Sequence, residues 1–104
     1  MTSEETVEAD DDWPFDSSRL LAVLTLDRIM DGSKPILYVT HDEDDGSWQF
    51  LDGGNVALDS AMIVTLGQIV DHDPTIKKLA DLPLGWFAMR EAVGKPWRRG
   101  PSNQ

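Results

Sequence analysis

Apolar runs separated by polar turns predict several short strands. Leu20–Met30 begins as a continuous apolar run and then alternates, which is typical of a strand buried on both faces at its start. After turn residues 31–35, the β-branched and aromatic segment Ile36–Thr40 predicts a second strand, and these two strands suit a hairpin. Trp48–Leu51 and Ala61–Thr65 predict two more strands, so the first two thirds of the chain favour a sheet.

Helical signals follow the fourth predicted strand. Thr65 and Gln68 have the spacing of a capping box, and the apolar residues after Thr65 fall on one helical face. Asp73 followed by Pro74 is typical of the start of a second short helix. Residues 86–91 favour a closing strand over a helical turn. Together the pattern predicts an α+β fold: a small, mainly antiparallel sheet of four to five strands with one or two short helices packed on one face.

The polar and apolar balance also divides the chain. Residues 1–17 are acidic and have little to bury, which predicts a disordered N-terminal arm. Residues 18–98 suit a single domain, and 99–104 a flexible tail. Trp13 and Phe15 interrupt the arm, and we expect them to dock on the domain; the alternative is a short peptide that a partner recognises.

Charge narrows the classes of partner. The 104-residue chain has a formal net charge of −10, yet residues 74–104 carry six bases and only two acids. An acidic surface repels phosphate backbones, so we expect no nucleic-acid binding. The chain has no cysteine, and no apolar stretch approaches the roughly 20 residues that span a bilayer. We therefore expect no thiolate metal site, no membrane contact and a cytoplasmic location.

The Asp-rich segment from His41 to Gly46 resembles part of a calcium loop. An EF-hand register that places Gly46 at position 6 puts His41 at position 1 and Asp52 at position 12. Histidine is a poor ligand for a hard cation, and the flanking residues predict strands where an EF-hand has helices. We therefore interpret the segment as a charged hairpin loop, whose acids also oppose edge-to-edge pairing.

Catalytic motifs do not emerge from the sequence. No serine lies in a Gly-x-Ser-x-Gly elbow, and Gly53-Gly54 is not followed by the lysine of a phosphate-binding loop. His41 and His72 lack the spacing of a metal motif. We expect no enzyme, no cofactor and no metal. Trp48 and Phe50 share a strand face and suit core packing, whereas Trp97 fits the core and a protein-binding hot spot equally well.

Three segments together resemble a known family. Residues 45–53 are similar to the W-x-F-x-x-G signature of family 2185 of domains of unknown function, residues 73–76 to its D-P-S-I segment, and residues 82–90 to its P-x-G-x-x-x-x-R segment. The resemblance covers roughly residues 22–91. It implies a small bacterial protein, in a family with some members grouped with the immunity proteins of toxin systems, and it implies no catalytic residue.

The sequence therefore favours a non-catalytic, immunity-like module that binds a basic protein partner. The candidate partner-binding residues are Asp42, Glu43, Asp44, Asp45 and Trp97. Acidic surfaces associate rapidly with basic partners through electrostatic steering. The alternative hypothesis is a small metal-dependent site or enzyme that uses the His41–Asp45 loop.

Overall fold

Six strands form one mixed sheet in the computed structural model, which describes residues 13–54 and 57–102. The strands are β1 (Ala22–Leu26), β2 (Tyr38–His41), β3 (Trp48–Leu51), β4 (Ala61–Thr65), β5 (Trp86–Met89) and β6 (Arg98–Pro101). Between them lie the α-helices α1 (Asp27–Met30) and α2 (Leu66–His72) and the 3-10 helices η1 (Leu58–Ser60) and η2 (Pro74–Leu79). The order across the sheet is β4-β1-β3-β2-β5-β6. The α+β class is thus confirmed.

The sheet is mainly antiparallel, as predicted, but it has six strands where four to five were expected. Four of its pairings are antiparallel, and the β1–β3 pairing is parallel. The additional strand is β6, in a segment that the sequence assigned largely to a flexible tail at 99–104. Arg98–Pro101 pairs with β5, with Ala88 opposite Arg99. The paired strand therefore continues to residue 101.

The predicted hairpin between the first two strands is wrong. The first strand ends at Leu26, and the expected continuation Asp27–Met30 forms α1 instead. Ile29 is fully buried, so the helical turn carries an apolar side chain into the core. β3 then inserts between β1 and β2, forms the hairpin with β2, and pairs with β1 through Leu24 and Gln49.

The helices cover one face of the sheet. The cross-strand neighbours Val39, Phe50 and Ala88 have no exposed surface, and α2 and η2 contribute buried apolar side chains to the same core. On the opposite face Ile63 is 64% and Met89 is 44% exposed. No helix within the described part of the chain is long and apolar enough to cross a membrane.

Both predicted helix starts are confirmed. The Thr65 hydroxyl accepts the Gln68 N–H at 3.1 Å, and the Gln68 side chain accepts the Thr65 N–H at 2.9 Å, which completes the capping box. The Asp73 carboxylate caps η2 by accepting the Thr75 N–H at 3.0 Å. The second helix is a 3-10 helix because its backbone bonds span three residues, such as Ile76 N–H to Asp73 O.

The aromatic pair at the start of the described chain docks on the domain. Phe15 is 6% exposed, and its ring meets Trp48 edge-on at a centroid distance of 5.5 Å. Trp13 packs against Phe15, and the Arg19 guanidinium lies 4.4 Å above the Trp13 ring. The remainder of the predicted acidic arm, residues 1–12, lies outside the described residues.

One buried cation connects three parts of the fold. Arg90 follows β5 directly and is only 5% exposed. Its Nε and Nη2 groups donate to the Ile36 carbonyl at 3.0 and 2.8 Å, and Nη2 also donates to the Asp73 carboxylate at 2.8 Å. Nη1 donates to the Thr75 hydroxyl at 3.1 Å. The guanidinium thereby joins the segment before β2 to the first turn of η2.

We predict that Arg90→Ala lowers the free energy of unfolding by about 3 to 5 kcal/mol, because it leaves the Asp73 carboxylate and the Ile36 carbonyl without their partner. Arg98→Ala is the control, since the Arg98–Glu91 pair is 3.4 Å long and about three-quarters exposed on both sides. That control is expected to change stability by no more than about 0.5 kcal/mol. Urea unfolding measures both, and equal effects would contradict the role of Arg90.

Candidate functional site

The predicted acidic loop connects β2 to β3 as a closed hairpin turn. The Asp42 N–H donates to the Ser47 carbonyl at 2.8 Å, and the Gly46 N–H donates to the Asp42 carbonyl at 2.9 Å. Gly46 has a φ of +74°, a backbone conformation that glycine adopts without the steric cost other residues incur. The loop between two strands is therefore the charged hairpin loop that the sequence predicted.

Hydrogen bonds fix two of the four loop carboxylates. Asp42 accepts the Gln49 side-chain amide at 2.8 Å and the Ser47 hydroxyl at 3.2 Å. Asp45 accepts the Ser47 N–H at 3.0 Å, and this bond holds the pKa of the Asp45 carboxyl below its ordinary value. Two negative charges are thus held in place before any partner arrives.

The other two carboxylates complete a concave surface. Glu43 and Asp44 are exposed, and Glu43 lies over Gly85, where an added Cβ would stand 3.2 Å from the Glu43 Oε1 atom. The resulting cavity measures about 290 Å³, and we call it the acidic recess; it is lined by Asp42, Glu43, Asp44, Asp45, Gly85 and Ser102. No basic side chain is among these lining residues. The recess can therefore take a cationic group.

His41 and Asp52, which the EF-hand register places at positions 1 and 12, contact other groups of the protein. The His41 ring stacks on Trp48 at a centroid distance of 3.9 Å, and its Nδ1 donates to the Leu82 carbonyl at 2.8 Å. The Asp52 carboxylate binds Arg28 at 2.6 Å, which lowers the pKa of Asp52. Across residues 13–54 and 57–102, no three His, Asp or Glu side chains converge as metal ligands.

Trp97 lies in a second, oppositely charged depression. Its ring is half-buried, with the Arg90 guanidinium 4.3 Å from its centroid. The depression measures about 470 Å³, and we call it the basic groove; besides Arg90 and Trp97, it is lined by Thr75, Lys78, Gly94, Lys95, Pro96 and Arg99. Trp97 thus packs on Arg90 and also lines a cavity, and its role as a protein-binding hot spot stays a prediction.

Strand register places the acidic loop and Arg90 at opposite ends of the β2–β5 pair. The acidic loop follows His41, which pairs with Trp86 at the start of β5. Arg90 follows Met89, which pairs with Tyr38 at the other end of the same strands. The five candidate residues from the sequence therefore divide into two sites: the four acids form one, and Trp97 belongs to the other.

The sequence did not predict that these basic residues line one groove. The excess of bases in residues 74–104 was visible, but the pattern did not show that Lys78, Lys95 and Arg99 meet around one ring. Lys78 lies on η2 and Arg99 on β6, so only the tertiary fold brings them together. The available signals for Arg90 were a single arginine directly after an apolar strand and its place at the end of the P-x-G-x-x-x-x-R segment.

We predict that Asp45 titrates below the ordinary value for an aspartate, because the Ser47 N–H donates to its carboxylate and favours its charged form. Ser47→Ala keeps this N–H, while it removes the hydroxyl that donates to Asp42, and is expected to leave the Asp45 midpoint below the ordinary value. A carbon-detected NMR titration of the Asp45 carboxyl measures both values. A midpoint at or above the ordinary value would contradict the geometry of the loop.

Comparisons with known proteins place no further constraint on the site. Scans of protein-family models, of curated proteins and of solved structures each give no match to this chain. Function is therefore inferred from the geometry of the described residues.

Proposed function

We propose that this chain is a non-catalytic protein-binding module whose acidic recess receives a lysine or arginine side chain of a basic partner. The observation that carries the proposal is the convergence of Asp42, Glu43, Asp44 and Asp45 on one cavity of about 290 Å³. Carboxylates make strong, charge-assisted hydrogen bonds to ammonium and guanidinium groups. The recess has the sign and the scale to accept one such side chain.

Preorganisation supports binding over chemistry. A carboxyl group that serves as a general acid near neutral pH needs a raised pKa, whereas the pKa of Asp45 is lowered. The hydrogen bonds to Asp42 and Asp45 come from neutral donors, so they orient these side chains without pairing them with a cation. A partner's cation can meet fixed negative charge without first ordering the loop, which reduces the entropic cost of association.

The charge of the whole chain acts in the same direction. A net charge of −10 attracts a basic protein over distances of about a Debye length, roughly 10 Å at 0.1 M salt. This attraction accelerates encounter more than it strengthens the final complex. An immunity-type role, which the resemblance to family 2185 implies, is the form of this proposal in which the basic partner is a toxin.

We predict that neutralising the exposed acids of the recess weakens capture of the partner. The test variant is Glu43→Gln, Asp44→Asn and Asp45→Asn together, and the control is Glu91→Gln, Asp59→Asn and Asp71→Asn, three exposed acids outside the recess. Both variants remove three negative charges; in the control, Glu91 and Asp71 also lose their exposed pairs with Arg98 and Arg19. A partner identified by pull-down should bind the test variant about tenfold more weakly at low salt than it binds the control.

Salt provides the second readout of this experiment. Binding to the wild type should decline between 50 and 500 mM salt, because exposed charges are screened. Equal affinity of the test and control variants would contradict the recess as the binding site. Failure to recover any partner at either salt concentration would count against protein binding itself.

A further inference from the structure

The basic groove concentrates positive charge on a strongly acidic protein. Four of its lining residues are cationic, namely Lys78, Arg90, Lys95 and Arg99, and none of its described lining residues is acidic. Arg90 already donates to Ile36, Asp73 and Thr75. The groove therefore presents more positive charge than its own contacts neutralise.

The two lysines carry the excess charge. Arg99 donates to Asp81 and to the Lys78 carbonyl, both at 2.8 Å, so its charge is partly balanced. Lys78 and Lys95 are exposed, and neither forms a salt bridge within the described part of the chain. An anionic ligand in the groove would pair with these ammonium groups beside the Trp97 ring.

The N-terminal end of the described chain lies next to this groove. Pro14 and Asp16 line a neighbouring cavity of about 440 Å³ together with Lys77, Lys78 and Asp81. Lys78 thus borders both cavities. Residues 1–12 precede this point and contain six acids and no base: Glu4, Glu5, Glu8, Asp10, Asp11 and Asp12.

We propose that the basic groove binds the chain's own acidic segment, residues 1–12. Charge complementarity supports this assignment, because the segment has six acids and no base whereas the groove has an excess of ammonium groups. The length of the segment also supports it. Twelve extended residues span up to about 40 Å, and the described chain that follows them begins beside the cavity next to the groove. A short tether gives an effective concentration in the millimolar range, so weak individual ion pairs suffice.

The same charges disfavour an anion from solution. A free acidic ligand must approach a molecule of net charge −10, and long-range repulsion lowers its encounter rate. A tethered segment does not face this barrier, because it is already local. The contact would shield Trp97 and leave the acidic recess, which shares no lining residue with the groove, untouched. It is therefore independent of the proposed function.

The test uses the full chain, whose lack of cysteine allows one clean label. A nitroxide on Ser3→Cys should selectively broaden the amide signals of residues 77–78, 94–95 and 97–99 at 20 mM salt, compared with those of Ile63 and Asp45. The broadening should fade at 500 mM salt because exposed ion pairs are screened. Lys95→Gln should reduce it severalfold, whereas Lys34→Gln, an exposed lysine on the α1–β2 turn, should leave it unchanged.

Three results would overturn the proposal. The first is broadening spread evenly over the surface, and the second is selective broadening that Lys95→Gln and Lys34→Gln affect equally. The third is a response of the groove amides to added inorganic phosphate without any label-dependent broadening, which would assign the groove to a free anion. Both lysine variants alter exposed side chains, so the folded chain remains available for each comparison.

Discussion

The buried guanidinium of Arg90 is the constraint on which the arrangement of this protein depends. A cation that is 5% exposed must satisfy its donors internally, because leaving a buried charge unpaired costs several kcal/mol. Its acceptors come from separate parts of the chain: the Ile36 carbonyl before β2, and the Asp73 carboxylate and Thr75 hydroxyl at the start of η2. The Trp97 ring covers the same group from the C-terminal segment. One side chain thus holds the sheet, the 3-10 helix and the approach to β6 in a single geometry.

This constraint separates the two charged surfaces. Arg90 and Trp97 occupy the end of β5 opposite the acidic loop, and the β2–β5 register fixes the strand between them. The acidic recess and the basic groove therefore share no lining residue, and the β2–β5 pair lies between the acidic loop and Arg90. A small domain with net charge −10 can in this way keep a local positive site at one end.

Local signals predicted the local structure well. The capping box at Thr65, the Asp73-Pro74 helix start and the strands over Trp48–Leu51 and Ala61–Thr65 all depend on near neighbours, and all are confirmed. The order of the strands could not be predicted from near neighbours, because the insertion of β3 between β1 and β2 depends on contacts between segments that are far apart in the sequence. The sequence of β6, Arg-Arg-Gly-Pro, lacks apolar alternation because the strand lies at the sheet edge with exposed side chains.

Only part of the candidate site could likewise be predicted from the sequence. Four consecutive acids in a turn define a charged loop from sequence alone, but its concave shape depends on Gly85 and Ser102, which the fold brings beside it. Trp97 was identified as a candidate, yet its partner Arg90 was not, because a charged residue after an apolar strand usually faces solvent. Burial of that charge is decided by acceptors 15 to 54 residues away.

Native-state amide hydrogen exchange tests the central role of Arg90 most directly. If the guanidinium makes η2 and the sheet one cooperative unit, the amides of Ile76 in η2 and of Arg90 itself should open with the same free energy as those of Val39 and Phe50 in the sheet. Exchange of Ile76 through a local opening several kcal/mol below that of the sheet would contradict the account, because η2 would then be held independently of Arg90.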